Sequence, residues 1–143
     1  MHGKNILSAK GNNVVSIEPT ATLETAVRTL AENKFGALLV LGPDRRIIGI
    51  LSERDIVRVF AQHGASVLAQ PLSQVMTRKV VTCSPSDTIG VIMERMTAGK
   101  FRHVPVIEQD QIVGIVSIGD VVKYRLQEME HESAALRDYI QSA

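Results

Sequence analysis

The sequence contains no tryptophan, two tyrosines, three phenylalanines and one cysteine. So few aromatic rings leave little for the stacking platforms that hold single-stranded nucleic acid, and the core must be aliphatic. A lone thiol, Cys83, makes no internal disulfide and excludes zinc sites built on CxxC pairs, so a reducing, cytoplasmic setting is expected. No charge of one sign dominates either. Sixteen Lys and Arg stand against fifteen Asp and Glu, a net charge of +1, which argues against non-specific binding to a phosphate backbone. No apolar run approaches the roughly 18 residues of a membrane span. Met1-His2-Gly3-Lys4-Asn5 leads only to the pair Ile6-Leu7, so neither a secretion signal nor a membrane helix is predicted. Nucleic acid and membrane are not expected partners.

What is present is enough to fold. The 143 residues are 45% hydrophobic and 22% charged, the balance of a globular chain with room for one domain or two small repeated units. Laid against itself, the sequence repeats. Val15-Ser16-Ile17-Glu18-Pro19-Thr20-Ala21-Thr22-Leu23 falls on Val81-Thr82-Cys83-Ser84-Pro85-Ser86-Asp87-Thr88-Ile89 at an offset of 66, which also pairs Lys34-Phe35 with Lys100-Phe101 and Val40 with Val106. Gly49-Ile50-Leu51-Ser52-Glu53-Arg54-Asp55 then falls on Gly114-Ile115-Val116-Ser117-Ile118-Gly119-Asp120 at 65. The residue gained or lost lies between Gly42-Pro43-Asp44-Arg45-Arg46 and Glu108-Gln109-Asp110-Gln111, which predicts a hairpin turn there.

Within each copy a β-rich run (Asn13 to Ile17; Lys79 to Cys83) meets a proline, and Thr22 or Asp87-Thr88 caps a helix. Leu23, Ala26, Val27 and Leu30, and in the second copy Ile89, Ile92, Met93 and Met96, form one apolar face each, with Gly99 expected to stop the second helix. Two strand-like runs follow in each copy, Ala37 to Leu41 and Ile47 to Leu51, then His103 to Ile107 and Ile112 to Val116. A final helix starts after Ser52 or Ser117.

This order, and the Gly-h-h-Ser-x-x-Asp signature (h apolar) in both copies, resemble the cystathionine-β-synthase (CBS) domain family, as a tandem pair over roughly residues 5 to 127. The resemblance implies an α/β (α+β) fold of two β-α-β-β-α repeats related by a pseudo-twofold axis, plus a C-terminal helix. The boundaries read as 5–64 for the first repeat, 65–74 for the connection, 75–127 for the second repeat and 128–143 for a helical tail. It also implies two clefts of the kind that often hold adenine nucleotides, in a stand-alone regulatory protein.

The signature places a carboxylate one turn into a helix. Ser52 and Ser117 stand where a hydroxyl, helix N–H groups and the positive end of the helix dipole can receive phosphate, and Asp55 and Asp120 suit the paired hydroxyls of a ribose. The resemblance implies the same roles. The same spacing also closes a capping box, in which Ser and the acid satisfy the helix's own donors, and that alternative stays open. The copies differ where discrimination should arise. Gly36-Ala37 is matched by Arg102-His103, and Arg54 by Gly119, so Arg54, Arg102 and His103 join the candidates as phosphate partners. His2, His63, His103 and His131 lack a paired metal-ligand spacing, so no metal is expected. Cys83 lacks a recognisable base and orienting group, and no enzyme is expected.

Beyond Asp120 there is no Pro or Gly, and Val122, Leu126, Met129, Ser133, Leu136 and Ile140 are spaced four, three, four, three and four. This heptad-like stripe predicts cover by a partner subunit, the alternative being an amphipathic helix folded back on its own domain. The expectation is a cytoplasmic homodimer that binds AMP, ADP, ATP or NAD(H) and acts on an unidentified regulated protein; the alternative is an interaction module with vestigial clefts.

Overall fold

Short continuous apolar runs, helices with one apolar face and the turns between them build most of the architecture. The computed structural model describes residues 2–10, 14–33 and 36–142, so Asn13 and the Lys34-Phe35 match lie outside the described residues. The chain forms two compact units, Val14–Val80, and Met1–Asn13 together with Val81–Ala143. Among the described residues no helix is long and apolar enough to cross a membrane.

In the Val14–Val80 unit, β1 (Ser16–Ile17), β2 (Ala37–Leu41) and β3 (Ile47–Ser52) form a three-stranded sheet, with β1 parallel and β3 antiparallel to β2. Helix α2 (Leu23–Asn33) buries Leu23, Ala26 and Leu30 on its predicted face, and Thr22 Oγ1 accepts the Thr25 N–H at 3.3 Å as its cap. Helix α3 (Glu53–His63) follows β3 without a loop. The connection is part of this core: its two 3₁₀ turns bring in Val67 and Leu72, and Pro71 bridges Thr22.

The second repeat begins with Cys83 instead of a strand. Leu39 N–H donates to Val15 O at 3.2 Å in the first repeat. The residue at the matching position is Pro105, which has no N–H, so the run expected from Lys79 to Cys83 contracts to one parallel bridge, Cys83 to Val106. That bridge keeps both its bonds, Cys83 N–H to Pro105 O at 2.9 Å and Ile107 N–H to Cys83 O at 2.8 Å. Helix α4 (Ile89–Gly99), the hairpin β4 (His103–Glu108) and β5 (Gln111–Ser117), and the long α5 (Ile118–Ser142) complete the repeat. Gly99 lies inside α4; the left-handed residue that ends it is Lys100, φ 58°, and Gly99 makes room for the Phe101 ring.

The one-residue difference between the copies sits in the hairpin turns. Gln109 and Asp110 both have positive φ, the two-residue turn that matches strand twist, whereas the longer first turn puts only Arg45 there, φ 63°. Both hairpins carry an irregularity at the same repeat position, between Val40 and Leu41 and between Val106 and Ile107.

Helix α1 (Gly3–Lys10) joins the second unit, although the sequence reading, 5–64, places most of its residues in the first repeat. Gly3 and Lys4 N–H groups donate to Asp87 and Pro85 carbonyls, both at 3.0 Å, and Ile6 and Leu7 are buried beside Ile89, Val104 and Val116. Leu7 packs where a Cβ at Gly114 would stand, as Met76 does at Gly49, so both signature glycines leave space for an apolar side chain from a neighbouring segment. Each repeat is thus closed by the segment that precedes the other repeat in sequence.

Candidate functional site

Ser52 ends β3 and caps α3, and each polar atom of the turn has a defined use. Ser52 N–H and Oγ–H both donate to Asp55 Oδ2, at 2.9 and 3.0 Å, while Ser52 Oγ accepts Asp55 N–H at 3.3 Å. The second signature repeats this arrangement: Ser117 N–H and Oγ–H donate to Asp120 Oδ2, both at 2.9 Å, and Ser117 Oγ accepts Asp120 N–H at 3.2 Å. The capping box held open as an alternative is therefore formed in both copies.

The first helical residue is also occupied. Glu53 N–H donates to Gly36 O at 3.0 Å, and Ile118 N–H to Arg102 O at 2.8 Å. With the amide of Asp55 or Asp120 held by the serine, the second amide of each helix, on Arg54 or Gly119, is the first-turn donor left to face an anion. Side chains therefore diverge at the position where the backbone of the two turns is alike. Arg54 is exposed on α3, and Gly119 leaves that place open on α5.

The hairpins bring the remaining candidates to these turns. His103 pairs with Ser117 across β4 and β5, as Ala37 pairs with Ser52 across β2 and β3. Arg102 is exposed just ahead of His103, with its carbonyl tied to the start of α5. Arg102, His103, Ser117 and Asp120 thus share one end of the second unit, and Ser52, Arg54 and Asp55 the corresponding end of the first.

Two partners of Asp55 were not foreseen. Arg58, one turn on, reaches Asp55 Oδ1 at 3.3 Å, and Thr77 Oγ1 donates to the same oxygen at 3.4 Å. The Asp-x-x-Arg spacing was a legible signal. Thr77 was not, since it lies beyond the connection, in the stretch assigned to the second repeat, and is held in the first unit by two 2.9 Å backbone bonds with Ile50. A second unforeseen group braces the entry to α4. Arg95 donates to Thr82 O at 3.0 Å and to Asp87 Oδ2 at 2.9 Å, and Ser84 N–H donates to the same carboxylate oxygen at 2.7 Å. The Ser84 N–H is the largest influence and holds the Asp87 carboxyl below its ordinary value; burial opposes it, and the Arg95 hydrogen bond and charge add to the lowering. Cys83 is buried beside it, and burial first, then the Asp87 charge, pushes its thiol up to about 11. It stays protonated at neutral pH, a packed residue rather than a nucleophile.

The CBS-domain family pattern matches residues 8–62 and again 72–127. A CBS-domain-containing protein of Agrobacterium tumefaciens, ATU1752, superposes with a TM-score of 0.84 at 44% identity, covering 87% of this chain and 92% of that one. The CBS domain protein PAE2072 of Pyrobaculum aerophilum, solved with AMP, superposes with a TM-score of 0.74 at 28% identity, covering 84% of this chain and 89% of that one. The mitochondrial CBS domain-containing protein CBSX3 of Arabidopsis thaliana is 35% identical over 124 residues, 84% of this chain. The chain spans 60% of that relative's length. With the signature turn built twice and the family pattern matched over both copies, the chain belongs to the CBS-domain proteins.

Proposed function

We propose that the chain is a regulatory module that binds an adenine nucleotide at the signature turns and couples occupancy to the arrangement of a homodimer. The observation that carries this reading is the duplicated Ser-x-x-Asp turn, which presents a serine hydroxyl, one helix amide and an acceptor-only carboxylate within a few ångströms, twice. A ribose diol would take over carboxylate lone pairs that the serine now uses, and the released hydroxyl would turn to phosphate. Arg54 in one turn, and Arg102 and His103 beside the other, would add charge-assisted contacts. The AMP complex of the Pyrobaculum relative supports adenine as the base. AMP, ADP and ATP are the ligands of this reading, and NAD(H) extends it by sharing the adenosine unit.

The regulation would be differential. A ligand shifts two dimer arrangements only by the difference in its affinity for them. The cytoplasm is the compartment of this reading, and a protonated, buried Cys83 argues against thiol chemistry. One observation favours a second reading: both carboxylates already satisfy their own helices, as in an interaction module with vestigial sites. Isothermal titration of the full chain with AMP, ADP, ATP and NADH separates the two. Saturable heat that weakens in Asp55→Ala or Asp120→Ala supports binding, and no heat with any of the four supports the interaction module.

A further inference from the structure

Helix α5 carries two faces. Val121 is fully buried and Tyr124 packs against the core of its own unit. The stripe beginning at Val122 faces away: Leu126, Leu136 and Ile140 are 54%, 59% and 64% exposed, and every residue from 129 to 141 is exposed. The chain's own unit leaves this seam uncovered.

What covers it is written in the flanking charges. With Val122, Met129 and Leu136 at d and Leu126, Ser133 and Ile140 at a, the e positions are Lys123, Glu130 and Arg137, and the g positions are Arg125, Glu132 and Tyr139. In a parallel, in-register pair each g residue meets the e residue of the next heptad of the partner. Arg125 then faces Glu130 and Glu132 faces Arg137, and symmetry makes each pairing twice. In an antiparallel pair e meets e and g meets g, which sets Glu130 against Glu130, Glu132 against Glu132 and Lys123 against Arg137. The parallel arrangement is attractive at all these pairs, and the antiparallel one is repulsive at each. Within the helix, Arg125 holds Glu128 and Arg137 the Ser133 carbonyl, both exchangeable contacts of a partly or fully exposed surface.

We infer that the outer face of α5 is a docking surface for the same face of a second copy, paired parallel and in register, with Arg125–Glu130 and Glu132–Arg137 contacts setting the orientation. This rests on the homodimer part of the reading above and is independent of the ligand. The seam from Val122 to Ile140 is about 27 Å long, short of the three or more heptads of a self-sufficient coiled coil, so it acts with a further contact surface.

The test uses the full chain. Ile140→Cys puts partner thiols side by side in the parallel pair, within disulfide reach, and about 27 Å apart in an antiparallel one; Cys83, buried and protonated, stays silent. Expected is a covalent dimer under mild oxidation, which the unmodified chain does not give. Sedimentation then reads the charges. Glu130→Lys with Glu132→Lys weakens the dimer tenfold or more, and adding Arg125→Glu with Arg137→Glu restores it. A dimer that forms without the Ile140→Cys bond, or whose affinity ignores the charge reversal, overturns the inference and leaves the dimer standing. A monomer at all concentrations overturns both.

Discussion

The two repeats began as copies, and they differ most where a single residue type removes a backbone donor or adds a side-chain brace. The first repeat has a parallel strand and a signature carboxylate held by Arg58 and Thr77. The second has Pro105 in the strand position and a carboxylate-guanidinium brace, Asp87–Arg95, where the first copy has Ala21 and Thr29. The second copy therefore holds its N-terminal approach by side chains and the first by its sheet. Both reach the same serine-aspartate turn.

The largest expected effects test the exchange of closing segments. Ile6 and Leu72 are fully buried at matching repeat positions, in different units. Ile6→Ala should destabilise the unit containing Val81–Ala143, and Leu72→Ala the unit Val14–Val80, each by about 2 to 5 kcal/mol. Hydrogen exchange resolved by residue checks this: loss of protection in the wrong unit, or equally in both, would break the assignment.

Next come the signature carboxylates. Asp55→Ala and Asp120→Ala should each weaken adenine-nucleotide binding by about 1.5 to 3 kcal/mol, the range for a hydrogen bond to a charged group. Arg54→Ala should affect one class of site and Arg102→Ala the other. Titration that finds two identical sites, insensitive to either arginine, would remove the functional half of the comparison.

The brace is smaller and depends on pH. In the folded chain Asp87 ionises below its ordinary 3.8, so its contribution is fully present above that value and is lost as pH falls through the lower folded one. Arg95→Ala should cost about 1.5 kcal/mol near neutrality, with the difference from the unmodified chain shrinking below about pH 4. Urea unfolding at neutral and acid pH measures it, and a cost that does not change with pH would mean that Arg95 acts through packing.

The smallest effect concerns Pro105. Pro105→Leu returns the missing N–H and allows a bond to the Val81 carbonyl, worth about 0.5 to 1.5 kcal/mol and partly offset by a freer unfolded chain. A newly protected amide at position 105 is the expected sign, and fast exchange there would mean that something other than the proline shortens the strand.

Much of this was legible because it is local. Helical spacing, short apolar runs and turn residues act over a few positions, so the faces of α2 and α4, both hairpins, the one-residue turn difference and the start of α3 and α5 at the signature serines follow from the sequence alone. So does the proximity of Ser52 to Asp55 and of Ser117 to Asp120, since three residues along a helix start bring them together. The role of Pro105 was not read: a β run was expected from Lys79 to Cys83, and only the observed pairing showed that the proline removes the N–H matching that of Leu39.

The tertiary structure decided what depends on distant segments meeting. That α1 packs beside β5, that the connection contributes Val67 and Leu72 to a core, and that Thr77 reaches Asp55 follow from which buried surfaces fit, and no periodicity encodes that. The sequence determined two signature turns and one amphipathic helix. Packing decided which side chains brace each turn and which face of α5 remains outside, because a stripe shows that a face is apolar, and only the filled core shows that its own unit has no further room for it.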